Sequence, residues 1–294
     1  MADTPAQGAQ AQLAFDAALP IDASSEPFEF VSSTLKMQQT HVRSEGIRGT
    51  RQRKSHRVRI GQEAVSGNVV MNPSVTELDL LWPRILGGVT GGGVTDVAET
   101  LPEFWIMRDD VSKLHTFNSC RVARATFTGT QGQPIQVTLD IEGEDETIEA
   151  AGGFPALTLD TENFFIFSDL TLTLQSTARK FRQFTLTIDN MLDVNRYNNS
   201  LTRTEIATQD LEVTLSVDVP YTADNTDLED QAIAGAAGIL VLTDAVTTYT
   251  FDFANVKSES EGPDNPGRSE IFLPLNNMTC YATAANSAVK VTKT

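Results

Sequence analysis

The chain has 294 residues, 40% of them hydrophobic, enough to bury one large core or two smaller ones. No apolar run approaches the roughly 20 residues that cross a bilayer as a helix, and the two cysteines, Cys120 and Cys280, stand far apart without a CxxC partner. That excludes a helical membrane span, a disulfide framework and a thiolate metal site, and the expectation is a soluble, unprocessed, acidic protein of a reducing compartment.

The formal charge of −17 is unevenly distributed. Between Lys36 and Arg59 stand eight cations, Lys36, Arg43, Arg48, Arg51, Arg53, Lys54, Arg57 and Arg59, against Glu45 alone, so this segment carries +7 and the remainder −24. Acidic clusters recur in the stretch IEGEDETIE, with Glu142, Glu144, Asp145 and Glu146, and again over 224–230 and 259–264. Opposite charges on separate segments of one chain attract between copies. The basic run holds no Phe, Tyr or Trp, which argues against a nucleic-acid site.

Taken in chain order, residues 1–28 are rich in Ala, Gln, Asp, Ser and Pro without periodicity and predict a flexible N-terminal arm. A short strand is expected over Phe28–Lys36. The basic segment follows as a long loop or loose hairpin, because Gly46, Gly49 and several Ser/Thr interrupt it. Val58 to Met71 then reads as paired strands turning at Gly61 and Gly67.

The first helix is predicted to start at Ser74, with Glu77 three residues on completing a capping box. Val75, Leu78, Leu81, Trp82 and Ile85 give it one apolar face to pack on a sheet, Pro83 is expected to kink or end it near Leu81, and Gly87–Gly93 to be a flexible connector. Beyond Leu101 the pattern is strand. Alternation is clear at Ile135, Val137, Leu139 and Ile141; at Leu170, Leu172 and Leu174; at Phe184, Leu186 and Ile188; and from Leu211 to Val219. One wet and one dry face per strand predicts a mainly β fold, an antiparallel sandwich or barrel with one short helix on the sheet. A second helix is expected over Leu228–Ala237. Residues 29–294 read as a single domain, with insertions around 142–153 and 222–268.

No chemistry accompanies these elements. His41, His56 and His115 are scattered outside metal-ligand spacing, and Gly91-Gly92-Gly93 lacks the Lys and helix of a phosphate loop. The acidic stretch is not a calcium loop, and Asp189-Asn190 is the polar pair of a turn. The expectation is no enzyme, no metal and no cofactor.

Four stretches carry a resemblance. Leu170–Leu192, LTLTLQSTARKFRQFTLTIDNML, resembles the central hairpin of siphophage tail tube (major tail) proteins. Three more fall in the family's order: EGIRGT from Glu45 with its basic continuation, GQEAVSGNV followed by PSVTELDLLWPRILG, and DLEVTLSVDVPY from Asp210. The resemblance spans roughly residues 36–221. It implies six-membered rings stacked into a tube around a DNA channel, with Lys36–Arg59 at the ring-to-ring contact opposite acidic surface, for which Glu142, Glu144, Asp145 and Glu146 are the candidates. It further implies a virion tail protein assembled in the host cytoplasm, whose partners are its own copies, the tape measure protein and the tail terminator and tip proteins. Double-stranded DNA would pass without specific binding, and no membrane is involved. The alternative is a β-sandwich decoration, baseplate or carbohydrate-binding module of a virion.

Overall fold

The computed structural model describes residues 7–47, 49–52, 55–222, 228, 235–244, 246–258, 262–263 and 267–294. In chain order its strands begin with β1 (Gln12–Asp16), β2 (Glu26–Pro27), β3 (Ser32–Ser33), β4 (Lys36–Arg43) and β5 (Val58–Met71), before helix α1 (Val75–Leu86). Next come β6 (Gly87–Thr90), β7 (Val94–Val97), β8 (Phe104–Asp109), β9 (Lys113–Thr130), β10 (Gln136–Gly143) and β11 (Asp145–Ala150). The middle of the chain adds β12 (Leu170–Leu174), β13 (Thr177–Arg179), β14 (Gln183–Asp189), β15 (Asp193–Arg196), β16 (Glu205–Ala207) and β17 (Glu212–Pro220). The last are β18 (Ala236–Thr243), β19 (Thr248–Lys257), β20 (Phe272–Tyr281) and β21 (Lys290–Lys293).

Every pairing between these strands is antiparallel, as the alternation predicts. A first sheet runs β4-β5-β10-β9-β14-β17-β20. A second runs β12-β18-β19-β21-β7-β6, and β19 also joins β20 through Asn255–Lys257. The N-terminal half of β9 leaves the first sheet to lie between β8 and β11, with β1 and β2 beyond β8. No closed barrel forms within the subunit, and the fold is sandwich-like.

The predicted alternating residues point inward: Val137, Leu139, Ile141, Leu186, Ile188, Val213 and Leu215 are all fully buried. Helix α1 joins the two sheets. Trp82 stacks on Phe127 of β9 at 5.0 Å between ring centroids and meets Phe251 of β19 edge-on at 5.1 Å. The capping box is formed: Ser74 Oγ accepts from the Glu77 amide at 3.2 Å, and Glu77 accepts from the Ser74 amide at 3.0 Å.

Several expectations are corrected. From Gln12 onward the N-terminal segment is part of the core rather than an arm: β1 pairs with β8, Phe15 is fully buried, and its ring lies 4.3 Å from that of Phe28. Its apolar triplet, Leu13-Ala14-Phe15, is too short to register as periodicity. Pro83 does not end the helix, which continues to Leu86 with Gly87 as C-cap. The carbonyl that Pro83 leaves without a donor belongs to exposed Asp79, within reach of water, while buried Trp82 and Ile85 hold the last turn in place. The glycine connector is the β6–β7 hairpin, where Gly92 and Gly93 take φ of +73° and +77° in the turn.

The segments read as insertions are structural. Glu142–Ala150 forms the end of β10 and all of β11, while β18 and β19 supply Leu240, Leu242, Tyr249, Phe251 and Phe253 to the core. Of the second helix expected over Leu228–Ala237, residues 229–234 lie outside the described residues and Ala236 opens β18. Between Phe28 and Lys36 only Ser32–Ser33 forms a strand. Val58–Met71 is one 14-residue strand rather than two. Gly67 serves close approach there, since a Cβ would lie 2.6 Å from the Leu35 Cα. The two strands read within Leu170–Leu192 as a hairpin belong to different sheets, β12 to the second and β14 to the first.

Asn190 is more than a turn residue. It is buried, and its Nδ2 donates to the Ile85 carbonyl of α1 at 3.1 Å and to the Val122 carbonyl of β9 at 3.0 Å, bracing the helix against the first sheet. Asn190→Ala is expected to cost about 1–3 kcal/mol by stranding buried carbonyls, as measured by denaturant unfolding.

Candidate assembly surfaces

The basic segment forms an antiparallel ribbon rather than a loop over its whole length. β4 and the start of β5 pair as His41↔Ile60, Val42↔Arg59 and Arg43↔Val58, and the chain between Arg43 and Val58 forms the connection. Both faces of this ribbon are exposed: Val42 is 62% and Ile60 49% accessible. Lys36 sits at its root opposite Ser66, Arg43 and Arg59 on its arms, and Arg51 and Arg57 in the connection. Arg48, Arg53 and Lys54 lie outside the described residues. Among the described residues no carboxylate pairs with Lys36, Arg43, Arg51, Arg57 or Arg59. Five cations are thus held on a projecting ribbon, beside apolar Val42 and Ile60, with a groove of about 680 Å³ between them and Leu201.

The root of the ribbon is clamped from three sides. Arg108 Nη1 donates to the Leu35 carbonyl at 2.6 Å. The Glu63 amide donates to the Leu201 carbonyl at 2.8 Å, extending the sheet beyond the end of β10. Arg203 reaches from the same segment to the Val65 and Gly143 carbonyls, each at 3.2 Å, and to Glu142 at 2.6 Å.

The candidate acidic residues lie near that root on the same subunit, and two of them are engaged internally. Glu142 is held by Arg203 and by Ser66 Oγ at 2.8 Å. Glu146 is buried against His115 Nδ1 at 2.6 Å. Burial, and then the neighbouring Glu103, push the Glu144 carboxyl above its ordinary value, against the pull of a Ser119 hydrogen bond. Asp145 accepts from the Glu146 amide at 2.7 Å. Among the described residues Glu144 and Asp145 make no ion pair, whereas Glu142 and Glu146 are each paired within the subunit. Residues missed by sequence reasoning, Arg203 above all, act through contacts to segments about sixty residues or more away.

The outward face of β10, β9, β14 and β17 is mostly polar. Register places Thr138, Thr126, Thr187, Thr214 and Thr279 in one row across β10, β9, β14, β17 and β20. Beside it runs a charged row of Asp140, Arg124, Asp189 and Glu212. Arg124 Nη2 lies 2.6 Å from Asp189 and Nη1 4.0 Å from Asp140. Burial pushes the Asp140 carboxyl up although Arg124 pulls it down. The signal was present in the sequence as T-x-T and T-x-D alternation, which reads as a wet face without saying which strands share it.

Among the described residues no group of three or more His, Cys, Asp or Glu side chains is placed to hold a metal ion. Both thiols are buried and free; burial pushes that of Cys280 up to about 12 and that of Cys120 higher still, so neither is a nucleophile at neutral pH. No helix among the described residues is long and apolar enough to cross a membrane.

No curated protein sequence matches the chain. Residues 3–278 match the family model described as phage tail tube protein, a span that runs from before β1 into β20, and the chain belongs to that family.

Proposed function

We propose that the protein is the tail tube subunit of a long-tailed bacteriophage, assembling into stacked, six-membered rings whose bore conducts double-stranded DNA. The observation that carries this reading is the exposed basic ribbon of β4 and β5, whose five described cations have no carboxylate partner among the described residues. With +7 on Lys36–Arg59 and −24 elsewhere, a ribbon that leaves its own subunit meets negative surface on another copy, Glu144 and Asp145 being candidates for it. Apolar Val42 and Ile60 add exposed surface whose removal from water favours the contact. Tape measure, terminator and tip proteins would bound the tube, and assembly would take place in the host cytoplasm.

Concentrated protein should form rings or tubes in negative-stain micrographs. Association should weaken as salt rises, because exposed charges are screened beyond about 8 Å at physiological ionic strength. A monodisperse monomer at every concentration and salt would sink the proposal.

A further inference from the structure

We infer that the basic ribbon of one copy seats in an acid-rimmed apolar groove at the far end of β5 on another copy, between Glu29–Val31, the segment 154–164 and the start of α1. The inference rests on the ring reading above and adds where the ribbon lands.

The groove consists of two adjoining depressions, of about 240 Å³ and about 490 Å³, that share Glu29, Phe30 and Val31. Val31, Leu159 and Phe164 line it and are 59%, 47% and 53% exposed. Large apolar side chains left in water together at one place mark an interaction site. The rim is acidic. Glu29 and Glu162 are exposed and Asp160 half-buried, and among the described residues none of the three makes an ion pair. Burial pushes the Asp160 carboxyl up, but hydrogen bonds from Ser74, Glu162, Thr161 and Thr76 outweigh it and hold the group below its ordinary value, so it is ionised at neutral pH. No lysine or arginine lines either depression.

The ribbon carries the complement. Ile47 in its connection is fully exposed, Val42 and Ile60 stand on its arms, and its five described cations have no carboxylate partner among the described residues. When two such surfaces meet, the apolar areas leave water together, while the opposite charges around them fix the register and reject a copy turned the wrong way.

Strand β5 keeps the two surfaces apart on one subunit. The ribbon pairs with its start, and the groove is held at its end, where the Val31 amide donates to the Val70 carbonyl at 2.7 Å. From Ile60 to Val70 the extended strand rises about 34 Å, so a ribbon does not reach its own groove. Complementary surfaces at opposite ends of one strand make a head-to-tail contact that repeats without closing, which is the contact a stack requires. Glu144 and Asp145 lie elsewhere, beside the middle of β5, where Gly143 faces Val65.

Ile47→Cys puts one accessible thiol at the ribbon tip, since both native thiols are buried. The variant is labelled with benzophenone maleimide and assembled with isotope-labelled native chains. The tubes are irradiated, and cross-linked peptides are read by mass spectrometry. Capture within residues 29–31, 72–77 or 154–164 of the native chain is expected. Capture at Glu144, Asp145 or any other segment overturns the inference, as do tubes that yield no cross-link between chains. A label-free comparison decides the matter if the tip label blocks assembly. Val31→Lys and Phe164→Lys, at exposed sites, should each stay folded by circular dichroism and raise the concentration needed for assembly at least about ten-fold, because apolar contact is lost and like charge faces the ribbon. Asp145→Lys should raise it by about two-fold at most. An equal effect at Asp145, or a larger one, overturns the inference. Native protein that forms no tubes removes the ring reading, and this inference with it.

Discussion

Replacing Trp82 by alanine is expected to cost about 3–5 kcal/mol, the largest loss from any single side chain. Trp82 is 2% exposed and lies where three layers meet: its own helix, Phe127 of the first sheet and Phe251 of the second. Phe127 and Phe251 also touch each other edge-on, 6.4 Å between centroids, so the cavity left by alanine would open the joint between the sheets instead of one surface. The neighbouring rings are held by strands and cannot collapse into it. The indole Nε1 has no hydrogen-bond partner among the described residues. Trp82→Phe would keep a ring in the stack while deleting that unsatisfied donor, and should therefore recover most of the loss. Urea unfolding of the two variants separates these terms. A Trp82→Ala protein as stable as the native one would mean that the helix does not join the sheets as described.

The second large effect concerns assembly. The ribbon from Gln38 to Gln62 makes few contacts with the body; its described residues other than Gly61 are exposed and its clamps sit at Leu35, Val65 and Glu63. Replacing it with a short turn therefore removes little buried apolar area, and folding should be nearly unaffected. Assembly should be lost. Charge reversal at Arg43, Arg57 and Arg59 should act in the same direction without shortening the chain, since it sets like charge against like.

The family places the protein in the virion tail as a structural component. How much of this was legible in the sequence differs by element. The alternating strands and the Ser74 cap could be read because each is specified within a few residues: side chains two apart share a sheet face, and a cap satisfies its own first turn. Strand β1 could not, since three apolar residues look the same in an arm and in a strand until β8 is set beside them. Gly92 and Gly93, between β6 and β7, read as a connector because their φ values serve the turn, while pairing of β7 with β21 depends on the far end of the chain. The same distinction runs through the candidate site. The basic run was visible as charge, but the engagement of Glu142 with Arg203 and of Glu146 with His115 is long-range, and local spacing carries no trace of it.

The most direct measurement is sedimentation of native protein beside the ribbon-shortened variant, at the same concentration and low salt, with circular dichroism to establish that both are folded. Native protein in large, salt-sensitive particles and the variant as a folded monomer is the predicted result. A folded variant that assembles as readily as the native chain would contradict the account.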